Sequence, residues 1–532
     1  MQTLRISPFC FIPLLGLVTV AVTAAVPPNV PRCRFSPLYS QHDILANPGA
    51  FVWDLLYWEG QFHQDSVGYN EANGMTYDGT LLDPTTGLAR SSGLHPFSAA
   101  SKESLHVMVL THAIAGNPLA ARFLSPRKPQ DAPGIARRIM EAKLRSYLQF
   151  NETYPGFGGF LPWFLSNDTI LRPTADWENR VPALDNGELL WAVYGAIEAL
   201  ENSWSKQAQS LAKKWQAWLD YTKNTAAEAV QVFYNGTGHV CAVTAIGNQS
   251  TPMGAPNQSY GCEGSQTLND PYEGELFTWW LYFFSPQLTI SEKEELWVSK
   301  RQQLVAAEWR SNMSWGDVTV QKGYWFSSHE QWKLLEMPYT DVDLVKRIFH
   351  NAERARTCDS FLKRTPGMYA SVNNVTGADG EILGYISNAG IPAVSFLSIQ
   401  ELDVITPYSV FPTILFNQSV GLAWWKNMID GKGMQNPYGS TESERVDGSG
   451  ISSFVSWDSK ITTVTAILGG VINFVRDKLR REGFYDEFLR VTQREHELVF
   501  KAALDGEDLD LCLPNAGVPT THLEDYESCR SR

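Results

Sequence analysis

The chain has no Cys-x-x-Cys pair, no cluster of basic residues and, beyond its first 25 positions, no apolar run long enough to cross a bilayer. The first absence argues against zinc, whose structural sites pair cysteines at short spacing, whereas the cysteines here are scattered. The second argues against nucleic acid and polyanionic carbohydrate as ligands. With 43 basic against 57 acidic residues and a net charge of −14, both would be repelled at long range. The third speaks against a membrane anchor, because the longest later apolar run, Val464 to Val475, is broken by Thr465, Gly469, Gly470 and Asn473. Low-complexity tracts and obvious linkers are also missing, so residues 26–532 read as one domain although length alone suggests about three.

What is present points to export. Residues 1–25 carry Arg5, an apolar segment from Pro8 to Val22 and a small-residue cleavage signal at Val22, Thr23 and Ala24, the pattern of a secretory signal peptide. The mature chain is expected to begin near Val26, outside the cell. Removing Cys10 leaves Cys33, Cys241, Cys262, Cys358, Cys512 and Cys529, enough for three disulfides in an oxidising compartment. Twenty residues separate Cys241 from Cys262, which makes that pair a plausible local bridge, but spacing leaves the connectivity open. Asn-x-Ser/Thr sequons at Asn151, Asn167, Asn235, Asn248, Asn257, Asn312, Asn374 and Asn417 fit a glycosylated extracellular protein.

Helical patterns dominate and strand patterns are few. Helices are expected near 47–62, 98–115, 133–151, 187–203, 206–231, 271–285, 291–310, 328–337, 341–361, 393–402, 407–428, 459–481 and 485–503. Apolar helices alternate with amphipathic ones: Trp191 to Leu200 precedes the lysine-bearing Ser205 to Lys223, and LFTWWLYFF precedes SEKEELWVSKRQQL. A buried helix followed by a half-exposed one is the pattern of a double ring, so the fold expected is all-α, an (α/α)6 barrel with a cleft lined by the loops at one end.

One stretch gathers carboxylates ahead of an aromatic helix: YGCEGSQTLNDPYEGELFTWW, from Tyr260 to Trp280. Asp270, Pro271 and Glu273 have the spacing of an N-cap, a first helical proline and a capping box, and Asp185 with Glu188, Ser291 with Glu294 and Thr340 with Asp343 repeat that spacing. Glu263 has no such structural role. It lies between Gly261 and Gly264 beside Cys262, with no basic residue from Asn248 to Glu292. A carboxyl held near aromatic rings without a cation stays protonated, as a general acid requires; a solvated loop glutamate is the plainer alternative.

Five segments converge on one family: PGFGGFLPWF (Pro155 to Phe164), ALDNGELLWA (Ala183 to Ala192), PYEGELFTWW (Pro271 to Trp280), SSHEQWKLLEMPY (Ser327 to Tyr339) and ERVDGSGIS (Glu444 to Ser452). Over essentially the whole mature chain the sequence resembles the secreted fungal endo-β-1,2-glucanases of glycoside hydrolase family 162, relatives of the bacterial family 144 enzymes. The resemblance implies an (α/α)6 barrel, endo-hydrolysis of linear β-1,2-glucan to sophorooligosaccharides, inversion at the anomeric carbon and no metal or other cofactor. It also implies Glu263 as general acid and Asp447 as general base, the base acting through a substrate hydroxyl and a water. Read alone, Asp447 is an Asp-Gly turn residue, and Arg445 could pair with a neighbouring acid or lie in solvent.

Other candidates are weaker. Asp185 could meet sugar hydroxyls or cap its helix. His329 and Glu330 resemble the start of a zincin motif, but Lys333 stands where the second histidine would be, so no metal is expected. His329 and Trp332 could contact substrate or simply pack. Trp163, in a glycine-hinged aromatic segment, is a candidate sugar platform, although most of the 18 tryptophans belong in the core. The expected partner is a neutral glucan bound by a monomer. The rival readings are a hydrolase of another β-glucan, a polysaccharide lyase, for which the acidic balance is unsuited, and a non-catalytic carbohydrate-binding protein.

Overall fold

The computed structural model of the protein describes residues 32–167, 169–228, 232–311, 315–400, 403–520 and 522–530. The signal segment and the sequon at Asn312 lie outside them, as do residue 231 and residues 401–402 at the ends of two expected helices. From Arg32 onward the chain is one compact unit built around one large apolar core.

Helices pack in two layers. Helix Ala100–Ile114 is buried along its whole length, helix Glu275–Phe284 likewise, and helices Ala183–Glu201 and Trp457–Leu468 nearly so. Amphipathic helices Ala132–Thr153, Lys206–Glu228, Asp343–Lys363, Ile472–Glu482 and Tyr485–Glu497, with the partly exposed helix Ile290–Arg301, cover them. Among the described residues no sheet closes into a barrel. The architecture is an α/α toroid, as the alternation of apolar and amphipathic segments implies.

Three inner helices are entered directly from a short strand: Phe97–Ser98 leads into Ala100–Ile114, Arg180–Pro182 into Ala183–Glu201, and Phe454–Ser456 into Trp457–Leu468. Small antiparallel sheets therefore sit at the N-terminal ends of the inner ring. The 180–182 strand pairs with Val243–Ile246, which in turn pairs with Tyr260–Cys262.

Several expected elements differ. The 291–310 helix stops at Arg301, and Ala306–Arg310 is a strand paired with Asp317–Gln321, because Trp309, Val318 and Val320 bury together in a satellite cluster. Among its described residues the 393–402 segment holds only the end of a 3-10 turn, Pro392–Val394. The 328–337 segment is a 3-10 turn, His329–Gln331, followed by a single helical turn, Lys333–Glu336. The 407–428 segment divides into a 3-10 turn and two helices, with Asn417 capping the second. The 459–481 pattern breaks at Gly469 and Gly470, both left-handed; a Cβ on Gly470 would stand 2.0 Å from the Leu335 carbonyl oxygen.

The expected caps are not formed, and their carboxylates find other surroundings. Asp270 accepts the backbone N–H groups of Tyr272 and Gly274, but the helix starts only at Glu275, and Glu273 is buried instead of closing a capping box. Helix 183–201 has Pro182 at its cap, and neither Asp185 nor Glu188 serves it. The box foreseen at Ser291 is formed by Thr289 and Glu292, and Asp343 begins its helix without a side-chain cap.

Cys33 is bonded to Cys529, Cys241 to Cys262 and Cys358 to Cys512. Inside the ring, Glu103 accepts from Lys143 at 2.6 Å, from Tyr147 at 2.7 Å and from the Thr76 N–H at 2.8 Å, tying the 100–114 helix to the 132–153 helix. Replacing Glu103 by alanine leaves the Lys143 ammonium buried without its counter-ion and is expected to cost about 3–5 kcal/mol in urea unfolding. A loss below about 1 kcal/mol would contradict this role.

A second group of buried acids has no such counter-ion. Burial, with mutual repulsion added for Glu188 and Glu273, pushes Glu188, Glu273 and Glu336 well above the ordinary carboxylate value, Glu330 up to about 8 and Glu442 up to about 7. The folded chain keeps protons on these groups that the unfolded chain releases above about pH 4.5. Folding takes up protons on these carboxyls, so stability falls as pH rises from about 6.5 toward 8; below about 6.5 the buried histidines His63, His106, His329 and His496, held under their ordinary value by burial, oppose the trend. Melting temperature should fall from about pH 6.5 to 8; a steady rise across that window would refute the assignment.

Candidate active site

The Cys241–Cys262 bond, with Cα atoms 4.9 Å apart, clamps the strand that leads to Glu263. Glu263–Ser265 then forms a 3-10 turn in which Gly264 is left-handed at φ +56°, a conformation that suits glycine. In the three-stranded sheet, Ala245 faces Arg180 on one side and Gly261 on the other, which brings Arg180 and Glu263 across the middle strand. Arg180 donates from Nε to Glu263 Oε2 at 2.5 Å, with the two side chains 36% and 41% exposed. The expectation of a carboxyl without a cation is thus corrected. The flanking sequence lacks a base, but the sheet delivers one from 83 positions upstream.

Arg180 ends a column of stacked groups. The His95 ring lies 5.9 Å from Phe97, Phe97 lies 6.0 Å from Trp163, Trp163 lies 5.8 Å from Trp177, and the last two pairs are within 8° and 12° of parallel. The Arg180 guanidinium covers Trp177 at 4.7 Å. At the other end His95 meets Asp78 at 3.2 Å.

Beside this column, three first-turn residues of inner helices converge. Lys102 lies 3.0 Å from Asp458, 3.4 Å from Asp78 and 5.8 Å from the Trp163 ring, and Trp163 donates from Nε1 to Asp185 at 3.0 Å. Burial raises Asp185 and Asp458 despite Lys102. Burial would raise Asp78 too, but Lys102 and His95 outweigh it and leave Asp78 below its ordinary value. The result is an aromatic wall next to carboxylates and an ammonium, the combination that binds sugar faces and hydroxyls. Of the sequence candidates, Trp163, Asp185 and Glu263 are joined here by one unbroken chain of contacts. Phe97, Trp177, Arg180, Lys102, Asp78 and Asp458 were not singled out from sequence; the adjacent Lys102 and Glu103 at the start of the 100–114 helix are a local signal that could have drawn attention.

Asp447 is exposed in a turn closed by Gly448 N–H to Arg445 C=O and Arg445 N–H to Gly450 C=O, both 2.9 Å. Hydrogen bonds from the Ser449 side chain and backbone hold its carboxyl below the ordinary value, with Arg445 adding a smaller effect. Arg445 forms its ion pair with Asp403, whose strand neighbour Val404 pairs with Arg445 in the register. Upstream in the same segment, Glu442 accepts from Ser456, Ser459 and Asn373, which anchors it to the N-terminal end of the helix carrying Asp458.

His329 stacks on Trp325 at 5.5 Å and bonds Ser327 and Ser371; burial first, then Arg356, lowers it to about 4, so it is neutral above that pH. Trp332 is a member of the main core with 7% of its surface exposed, which leaves it no open face for a sugar and favours the packing reading. Among the described residues no cluster of three or more His, Cys, Asp or Glu side chains is placed to ligate a metal ion.

Residues 75–530 match the model of the family described as endo-β-1,2-glucanase SGL, GH162. The chain belongs to this family. It is a glycoside hydrolase of fungal type. The endo-β-1,2-glucanase of Talaromyces funiculosus, solved with sophorose, is 58% identical, superposes with a TM-score of 0.91 and covers 94% of this chain and 100% of its own. A glutamate-to-glutamine variant of that enzyme, solved with β-1,2-glucan, matches equally, and the substituted position carries a number one below that of Glu263 here. The endo-β-1,2-glucanase of Chitinophaga pinensis, at 10% identity and a TM-score of 0.55 over 86% of this chain and 98% of its own, shares the fold. No curated protein sequence matches the chain.

The Ser449 bonds make a checkable statement about Asp447. If it acts as the ionised base, losing the Ser449 hydroxyl raises its carboxyl, so Ser449→Ala should move the acidic limb of the kcat/KM profile to higher pH. An unmoved limb in an otherwise active variant would mean that another group sets it.

Proposed function

We propose that the enzyme hydrolyses linear β-1,2-glucan at internal bonds, releasing sophorooligosaccharides with inversion, with Glu263 as general acid and Asp447 as general base. The observation that carries this reading is the 58% identical fungal enzyme that holds β-1,2-glucan when one glutamate is exchanged for glutamine. That exchange preserves shape and removes the acidic proton. Glu263 is the glutamate of this chain that fits the exchanged position, on a clamped, half-exposed turn beside an aromatic wall.

In the reaction, Glu263 gives its proton to the glycosidic oxygen as the bond to C1 breaks. A water attacks C1 from the opposite face and loses its proton, through a substrate hydroxyl, to Asp447. Both carboxyls are then restored by proton exchange with solvent. The relay accommodates a wider separation of the carboxyls than the roughly 6.5–9.5 Å of a direct inverting pair. The depressed Asp447 carboxyl suits a base that must be ionised in mildly acidic medium.

Export and glycosylation belong to the same reading: the N-terminal segment directs secretion, and Asn167, Asn235, Asn248, Asn257 and Asn417 are exposed, with Asn151 and Asn374 partly so. Glu263→Gln should lower turnover of unmodified β-1,2-glucan about 10²- to 10⁴-fold while oligosaccharide binding persists, and Asp447→Asn should do the same. Proton NMR of fresh hydrolysate should show the α-anomer first. Activity confined to β-1,3-, β-1,4- or β-1,6-glucan would defeat the substrate assignment. An initial β-anomer would defeat the inverting pair.

A further inference from the structure

We propose that Trp177 is a stacking face for a glucosyl unit of the substrate, and that in the empty enzyme Arg180 occupies this face and holds Glu263 until the sugar displaces it. The inference rests on Glu263 being the general acid.

Trp177 is the last ring of the column. One face looks toward Trp163, whose centroid is 5.8 Å away and whose plane is 12° from parallel, a separation that admits no guanidinium between the rings. The Arg180 guanidinium stands over the indole surface that Trp163 leaves open, at 4.7 Å from the ring centroid. The same guanidinium bonds Glu263 through Nε and the Asp176 carbonyl oxygen through Nη1, at 2.5 and 3.0 Å. An indole face next to a candidate acid is the surface on which the C–H face of a pyranose stacks, but here a cation already fills it.

The chemistry makes the two occupants exclusive. An ion pair with Arg180 uses Glu263 as a carboxylate, whereas proton donation to a glycosidic oxygen uses the carboxylic acid. The pair must open before the acid works. A glucosyl unit arriving on Trp177 removes the guanidinium from the ring and from Glu263 in one movement. Both contacts are at partly exposed side chains, where ion pairs and cation–π contacts are weak enough to be exchanged for a sugar. Arg180 is thus a positioning residue of the resting enzyme, and Trp177 touches substrate.

The test is a KM-against-kcat split. Arg180→Ala removes the competitor from the free enzyme and nothing from the loaded one, so KM for β-1,2-glucan should fall roughly three- to ten-fold with kcat within about two-fold of wild type. In the Asp447→Asn background, calorimetry with sophorooligosaccharides of about six units should show the same gain in affinity, and Trp177→Ala should abolish it. Arg180→Lys keeps a charge for Glu263 but cannot lie flat on the indole, and should give a smaller fall in KM; it also serves if the alanine variant does not fold. An unchanged or raised KM, a kcat reduced more than two-fold, or a gain that survives Trp177→Ala overturns the inference. Those results with an inactive Glu263→Gln leave the acid assignment standing, whereas an active Glu263→Gln sinks that assignment whatever Arg180 does.

Discussion

Helices buried on every side oblige each charge they carry to find its counter-charge inside the protein. Removing two charges from water is costly, and only short, well-bonded pairs offset it. The inner layer meets this demand with Glu59 to Lys460 at 2.5 Å, Glu103 to Lys143 at 2.6 Å and Glu275 to Lys333 at 2.9 Å. The first joins a helix near the start of the chain to one near its end, where the Cys33–Cys529 bond also ties the two ends together. Because each pair also takes further hydrogen bonds, as Glu275 does from Tyr339, the contacts define which helices lie side by side as well as adding to stability.

Where the pairing stops, the chemistry begins. Glu188 and Glu336 lack hydrogen-bond partners among the described residues, and Lys102 serves Asp78 and Asp458 together, with Asp185 nearby. Lys102, Asp185 and Asp458 lie in the first turns of inner helices, where short strands deliver the chain and where helix dipoles favour negative charge. The column from His95 to Arg180 then links this acidic floor to Glu263 in one stacked assembly.

Two of the missing caps have a tertiary cause. Asp185 has the spacing of a capping residue, yet Trp163 claims its oxygen; Glu273 has the spacing of a capping box, yet it is buried beside other acids. Helix-capping rules describe local competition for orphan N–H groups, and they lose when a tertiary donor or a packed interior offers the carboxyl a different fate. The 306–310 strand arose in the same way, through burial of Trp309 with Val318 and Val320 against a neighbouring helix.

The sequence by itself determined the helical class, the alternation that makes a double ring and the family, because apolar periodicity and contiguous motifs are properties of neighbouring residues. Glu263 and Asp447 were singled out only through the family resemblance; read alone, the sequence favoured a solvated loop and an Asp-Gly turn. The Arg180–Glu263 pair, the stacking of Trp163 on Trp177 and the convergence of Lys102, Asp185 and Asp458 were decided only by the tertiary structure. Those groups come from segments as far apart as residues 102 and 458, and their contacts exist only once the ring has closed and brought the N-terminal ends of its inner helices to one side.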